Sequence, residues 1–160
     1  MRRLALAVLV VIGACGKGDG KGGRDDEPGP LDYAKKTKKT EGELQLDSIA
    51  KQSKKYFYAH DNRFPAMKIG PTPAAPCCTQ PDQKCRPDAA DWAGTDWDQL
   101  QFRIEEPFRF QYSYESDGTT FTATATADLD CDQQTMTTFV AHGRAMAGEP
   151  EVTVEMTSKE

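Results

Sequence analysis

The clearest pattern along the chain is a helical one that begins after residue 40. Apolar and small side chains recur there at helical spacing, at Leu46, Ile49, Ala50, Ser53 and Phe57. The charged residues of the same segment fall on the opposite face: Asp47, Lys51, Lys54 and Lys55. This arrangement predicts one amphipathic helix. Thr40, followed by Glu43, has the form of a capping box and places the predicted helix start near residue 40.

A period of two follows in the second half of the chain. Residues 107–115 alternate Phe108, Phe110, Tyr112 and Tyr114 with polar residues, which predicts a half-buried strand. Ser-Asp-Gly at 116–118 supplies a turn, and residues 119–127 then alternate threonine with Phe121, Ala123, Ala125 and Ala127. Small alanines opposite large aromatics would let a helix lie close to the sheet. Weaker strand patterns cover 135–142 and 150–156.

These elements predict an α+β fold, with one N-terminal amphipathic helix on an antiparallel sheet of about four strands. Between helix and sheet lies an irregular stretch, roughly residues 63–98, that is rich in proline and contains three cysteines. A loop of this length inside a compact domain is typically functional, disordered or crosslinked. Trp92 and Trp97, with Tyr56 and Tyr58, have two interpretations: a groove for carbohydrate or peptide, or ordinary packing.

The first residues carry an export signal. Arg2 and Arg3 precede an apolar run from Leu4 to Ile12, which is too short to span a bilayer as a helix. Ile12-Gly13-Ala14-Cys15 resembles a bacterial lipobox, so residues 1–14 are predicted to be a lipoprotein signal peptide and Cys15 to be lipidated, with palmitate among its acyl chains. Gly16 in place of aspartate is typical of sorting to the outer membrane.

Charge separates a spacer from a domain. Residues 15–40 are dense in Gly, Lys, Asp and Pro, which predicts a flexible tether. Residues 41–160 form the predicted globular domain and hold eleven basic and twenty acidic residues. An acidic domain argues against nucleic acid as a partner, because phosphate binding requires clustered Lys and Arg.

In order, the segments LDSIAKQSKKYFYAHDNRFP, TPAAPCC, FRFQYSYES and FTATATADLDCD resemble the globular head of type IV pilin-like proteins, over about residues 44–142. Polymerising members of that family carry a long apolar helix, where this chain has a lipobox and a spacer. The resemblance therefore implies a pilin-like head on a lipid tether, without pilus polymerisation.

Four cysteines remain in the exported part: Cys77, Cys78, Cys85 and Cys131. In an oxidising compartment they predict two disulfides. A bond between the adjacent Cys77 and Cys78 would close a strained ring, so one of that pair is expected to bond to Cys85 and the other to Cys131. A four-thiolate zinc site is the alternative, although the spacing fits zinc knuckles poorly.

Asp128, Asp130 and Asp132 match the first three ligand positions of an EF-hand loop. The match then fails, since Gln133 stands where the loop needs glycine and Phe139 where it needs a bidentate glutamate. Two interpretations follow: an acidic turn anchored by Cys131, and a looser calcium site built on the three carboxylates.

The sequence contains no motif of a known catalytic site. Its two histidines, His60 and His142, lie at element ends, where a surface or capping role is typical. We therefore predict a non-enzymatic, lipid-anchored protein of the bacterial cell envelope, on the periplasmic side of the outer membrane or on the surface. Its expected partners are the membrane, through the lipid, and an envelope protein or polymer. The alternative is a calcium-binding envelope domain.

Overall fold

The computed structural model describes residues 30–158, so the predicted signal peptide, Cys15 and the first half of the tether lie outside the described residues. The chain forms a long helix α1, Pro30–Ala59, and a five-stranded sheet. The strands are β1 (Met67–Thr72), β2 (Gln111–Ser116), β3 (Thr120–Ala127), β4 (Thr137–Met146) and β5 (Glu149–Ser158). They follow one another in chain order across the sheet, each antiparallel to the next. The α+β prediction is therefore confirmed, with five strands rather than four.

The helix stripe predicted from the sequence is the buried face of α1. All five of its positions are buried: Leu46, Ile49, Ala50, Ser53 and Phe57. They pack mainly on β3 and β4, where Ala123, Ala125 and Ala141 are fully buried beneath the helix. Each fully buried Leu or Phe side chain contributes about 1.5–3 kcal/mol. Among residues 30–158, no helix is both long and apolar enough to cross a membrane.

The helix begins ten residues earlier than predicted, so residues 30–40, predicted to belong to the flexible tether, are helical. Pro30 suits a first turn because that position needs no backbone donor. Thr40 does not cap the helix. Its hydroxyl instead donates to the carbonyl of Lys36 at 3.0 Å, as a mid-helix threonine does.

The fifth strand, β1, was missed because Gly70 and Pro71 interrupt its pattern. The structure places it at an edge of the sheet, where proline is tolerated. Gly70 has a φ of +101°, and a Cβ there would lie 2.5 Å from the Tyr112 carbonyl oxygen. This strand occupies the start of the predicted irregular stretch. Four short helical segments follow it: Cys77–Thr79, Pro81–Gln83, Ala89–Trp92 and Asp96–Leu100.

The two tryptophans form a second part of the core beneath this stretch. Trp92 contacts the rings of Trp97, Phe102, Phe108 and Tyr112 at centroid distances of 5.6–6.4 Å. Both tryptophans are buried, and the indole N–H of Trp97 donates to Thr72 Oγ1 at 3.0 Å. The packing interpretation is therefore confirmed for both tryptophans, although the edge of Trp92 also lines a surface cleft of about 380 Å³.

The turn between β2 and β3 gives a pH-dependence that can be measured. Backbone N–H groups of Thr120 and Thr119 donate to Asp117, and together with the threonine hydroxyls they lower the pKa of this carboxyl to about 2. In the unfolded chain the carboxyl takes up its proton near pH 4. The ionised turn therefore stabilises the fold fully above pH 4, and this contribution is lost as the pH falls towards 2.

Asp117→Asn keeps an acceptor oxygen and removes the charge. We expect the wild type to melt at a higher temperature than this variant at pH 6, and the difference to shrink between pH 4 and pH 2.5. Melting curves of both proteins across that range measure the effect. A constant difference would show that the turn does not hold the ionised form.

Candidate functional site

The predicted site residues meet at one end of the sheet, beyond the end of β3. We use the name acidic turn for residues 128–133. Its first residue, Asp128, accepts backbone N–H groups from Cys131 and Asp132 on Oδ1 and from Gln133 on Oδ2, at 2.6–3.2 Å. A single carboxylate therefore organises the backbone of the turn.

One disulfide fixes this turn to the stretch before β2, and a second disulfide closes a short loop within that stretch. Cys78 is bonded to Cys131, and Cys77 to Cys85. This confirms the prediction that one of the adjacent pair bonds to Cys85 and the other to Cys131, and the four thiols are not a zinc site. Cys85 pairs through its backbone with Phe108, at 2.8 and 3.1 Å. The two disulfides thus connect the acidic turn to Cys85, and the backbone hydrogen bonds of Cys85 connect it to Phe108, just before β2.

The helix reaches the same end of the molecule by two polar contacts. Glu41 accepts the backbone N–H of Arg109 at 2.5 Å and the guanidinium of Arg109 at 3.0 Å. Lys38 Nζ donates to the carbonyl oxygen of Leu129, inside the acidic turn, at 2.6 Å. Neither contact was predicted, because each joins residues 68 or 91 positions apart and no local pattern encodes it.

A cleft of about 410 Å³ lies beside the Cys78–Cys131 disulfide. Its lining is largely apolar and includes Met136, whose side chain is 39% exposed. The polar lining groups are Thr79, Arg109, Gln111, Thr126, Asp128 and Gln133. Asp128 is the one carboxylate among the lining residues, and both of its oxygens already accept backbone N–H groups. The cleft therefore offers shape, hydrogen bonds and one guanidinium.

The three aspartates of the predicted metal site are close together. Asp128, Asp130 and Asp132 each offer an oxygen, and these oxygens lie within 4.8 Å of one another. Asp128 is half-buried, whereas Asp130 and Asp132 are exposed. Carboxylate oxygens at this separation are suitable ligands for calcium, and calcium binding here stays a prediction.

The two histidines lie on the surface, away from the cleft lining. His60 Nδ1 lies 2.8 Å from the carbonyl of Tyr56 at the end of α1, and its ring stacks on the Tyr56 ring. His142 Nδ1 lies 3.2 Å from Thr122 Oγ1 on the exposed face of the sheet. Each position fits the surface role expected from the sequence.

Gln133 adopts a left-handed backbone conformation, with a φ of +60°. This is the position at which the EF-hand pattern calls for glycine. A non-glycine residue in this conformation costs about 1–2 kcal/mol. Glycine would remove this strain, but it would also raise the conformational entropy of the unfolded chain, which offsets part of the gain in stability.

We expect Gln133→Gly to raise the free energy of unfolding by about 0.5–1 kcal/mol. Gln134→Gly is the matched control, because the backbone φ of Gln134 is not positive. This control variant should be as stable as the wild type or less stable. Urea unfolding of both variants measures the difference. Equal effects of the two changes would mean that the turn carries no strain at residue 133.

In comparisons with family models, curated proteins and solved structures, no match to this chain was found.

Proposed function

We propose that the protein is a pilin-like head that acts as a non-enzymatic binding or structural module of the bacterial cell envelope, held to a membrane by a lipid on Cys15. The two disulfides support export to an oxidising compartment. The long helix on an antiparallel sheet, with a crosslinked loop beside it, is compatible with a pilin-like head. The periplasmic side of the outer membrane, or the cell surface, is the proposed location.

The disulfide-bounded cleft is the observation that carries this proposal. Ligand sites are typically concave and largely apolar, with a few fixed polar groups. Here Arg109 is held by Glu41, and the turn is held by Asp128 and Cys131, so the lining is set before a partner arrives. Preorganised contacts lower the entropic cost of binding. Acid–base catalysis, by contrast, needs a titratable group that can exchange a proton with a substrate. The one carboxylate in the lining, Asp128, instead accepts backbone N–H groups on both oxygens, which favours binding over catalysis.

The proposed partner is an envelope protein or polymer. The acidic domain repels polyanions, which argues against nucleic acid. The face of the sheet that continues from the cleft presents hydroxyls at Thr122, Thr124, Thr126 and Thr138, and further from the cleft it carries the exposed ion pairs Lys68–Glu115 and Arg144–Glu151. Hydroxyl groups both donate and accept hydrogen bonds, so they suit a polar partner.

A photoreactive residue at Met136, introduced into the full-length protein in cells, tests the binding site. We expect one discrete crosslinked envelope component from Met136. Lys51, on the solvent side of α1, is the control position and should give none. The same crosslinks from both positions would contradict the proposed cleft. Turnover of an envelope substrate that is abolished by replacing His60 or His142 would contradict the non-enzymatic proposal.

Anchoring is tested separately by Cys15→Ser. We expect this variant to be unprocessed, or to leave the membrane fraction, because no acyl chain can be attached at residue 15. Continued acylation and membrane association of the variant would refute the lipid tether.

The close approach of the three aspartate oxygens favours a second candidate, a calcium-binding envelope domain. Calcium at about 100 times its dissociation constant would stabilise the fold by about 2.7 kcal/mol. A melt of the oxidised protein in calcium and in EDTA measures this. The shift should vanish when Asp130→Ala and Asp132→Ala are combined. No shift in the wild type would leave the acidic turn as a disulfide anchor.

A further inference from the structure

The first turns of α1 are held differently from the rest of the helix. From residue 46 to residue 57 the helix buries an apolar stripe on the sheet. Residues 30–40, here named the strap, contain no buried side chain among those described. Tyr33, the largest apolar side chain described in the strap, is 71% exposed. Hydrophobic burial therefore holds the body of the helix and contributes little to the strap.

Charge distinguishes the strap as clearly as burial does. It carries four lysines, at positions 35, 36, 38 and 39, and one acidic residue, Asp32. The acidic turn carries three aspartates within six residues. The strap is thus strongly basic on an otherwise acidic domain. The acidic turn has the opposite charge, so the two segments attract each other.

A hydrogen bond between two described residues joins the two segments directly. Lys38 Nζ lies 2.6 Å from the Leu129 carbonyl oxygen, and Leu129 stands between Asp128 and Asp130. A hydrogen bond from an ammonium group is stronger than a neutral one. Because Leu129 lies between Asp128 and Asp130 in the chain, this bond also brings the positive charge of the strap to the negatively charged turn. The ammonium group of Lys38, a residue of the same chain, is therefore bound at the acidic turn.

We propose that Lys38 fastens the strap to the acidic turn as an electrostatic clasp, and that rising ionic strength releases the strap while the rest of α1 stays in place. Attraction between partly exposed charges weakens as salt shortens the screening length. Segments with few buried contacts open at low free-energy cost. The strap combines both properties. The body of the helix also carries an exposed ion pair, between Asp47 and Lys51, but its buried stripe holds it in place when salt screens that pair.

The clasp determines whether residues 30–40 continue the helix or become flexible chain. A released strap would add up to eleven residues to the proposed tether. This consequence for the position of the head rests on the proposed lipid anchor. The clasp itself is a property of the protein in solution and does not depend on the anchor.

Hydrogen exchange on the purified full-length protein tests the clasp. We expect the amides of residues 33–40 to exchange about fivefold faster in about 500 mM than in about 20 mM NaCl, since screening removes most of an attraction between partly exposed charges. Amides of residues 46–57 should not respond. In Lys38→Met the strap should exchange fast at both salt concentrations.

Lys36→Met is the matched control. Lys36 is exposed and lies two residues from Lys38, and methionine has nearly the helix propensity of lysine. This variant should behave as the wild type. Equal exchange in both variants and the wild type, or an equal salt response along all of α1, would overturn the clasp. The two proposals can fail separately. If the strap responds to salt but the protein purified from cells carries no lipid, the clasp is supported and the lipid tether is refuted.

Discussion

Removal of the Cys78–Cys131 disulfide, by changing both residues to alanine, is expected to lower the free energy of unfolding by about 4 kcal/mol. The bond joins residues 53 positions apart, and a crosslink that closes a long loop removes much conformational freedom from the unfolded chain. Most small domains are stable by about 5–15 kcal/mol, so this loss is a large share of the total. Chemical unfolding of the oxidised wild type and the variant measures it.

The second disulfide provides the comparison within the same molecule. Cys77 and Cys85 are only eight positions apart, and loop closure alone predicts a loss of about 2.5 kcal/mol when both become alanine. These two cysteines are buried, whereas Cys78 and Cys131 are half-buried. Mild reductant should therefore open Cys78–Cys131 first. A loss below about 1 kcal/mol for that bond would mean that Asp128 and Lys38 hold the turn without covalent help.

The parts of the fold that could be predicted are those encoded by a local period. The buried stripe from Leu46 to Phe57 follows the helical repeat, and the alternation around Tyr112 and Ala123 follows the strand repeat. Such patterns record burial on one face of an element, and burial is what holds these elements together. The disulfide pairing could be predicted in part, and for a different reason. A bond between the adjacent Cys77 and Cys78 would be strained, so each of them is expected to bond to Cys85 or Cys131.

The start of α1 and the strand β1 could not be predicted, because neither depends on a buried stripe of its own. The strap has no sustained stripe of apolar residues at helical spacing, and its contact with the acidic turn comes from a residue 91 positions away. In β1, Gly70 and Pro71 break the alternation, and the strand forms by pairing with the well-defined β2. In both elements, tertiary contacts decide a conformation that local preference leaves open.

The candidate site shows the same division. Its covalent and acidic parts, Cys78, Cys131 and Asp128, are visible as residue types in the sequence. The cleft beside them requires Arg109 and Met136 to approach the same disulfide, which only the assembled sheet brings about. Sequence reasoning therefore found the anchor of the site and missed the concave surface, which is the part that would contact a partner.

Gly143→Ala is expected to destabilise the protein by about 3 kcal/mol, because a Cβ at residue 143 would overlap the ring of Phe121. Gly143 lies opposite Phe121 in the β3–β4 pair. The ring cannot easily move away, since it stacks on Tyr114 at 5.2 Å and meets Phe64 edge-on at 4.8 Å. In an interior packed this closely, the strain caused by an added methyl group spreads to the neighbouring side chains.

A double-mutant cycle shows whether the overlap is the cause. In a Phe121→Leu background the side chain opposite Gly143 is smaller, so Gly143→Ala should cost at least about 1 kcal/mol less than in the wild type. Gly148→Ala is the control: Gly148 has a φ of +89° and no atom within 4 Å of an added Cβ. Its cost of about 1 kcal/mol should come from backbone strain and should be the same in both backgrounds. If Phe121→Leu leaves the cost at Gly143 unchanged, steric overlap with the Phe121 ring is not what keeps a glycine in β4.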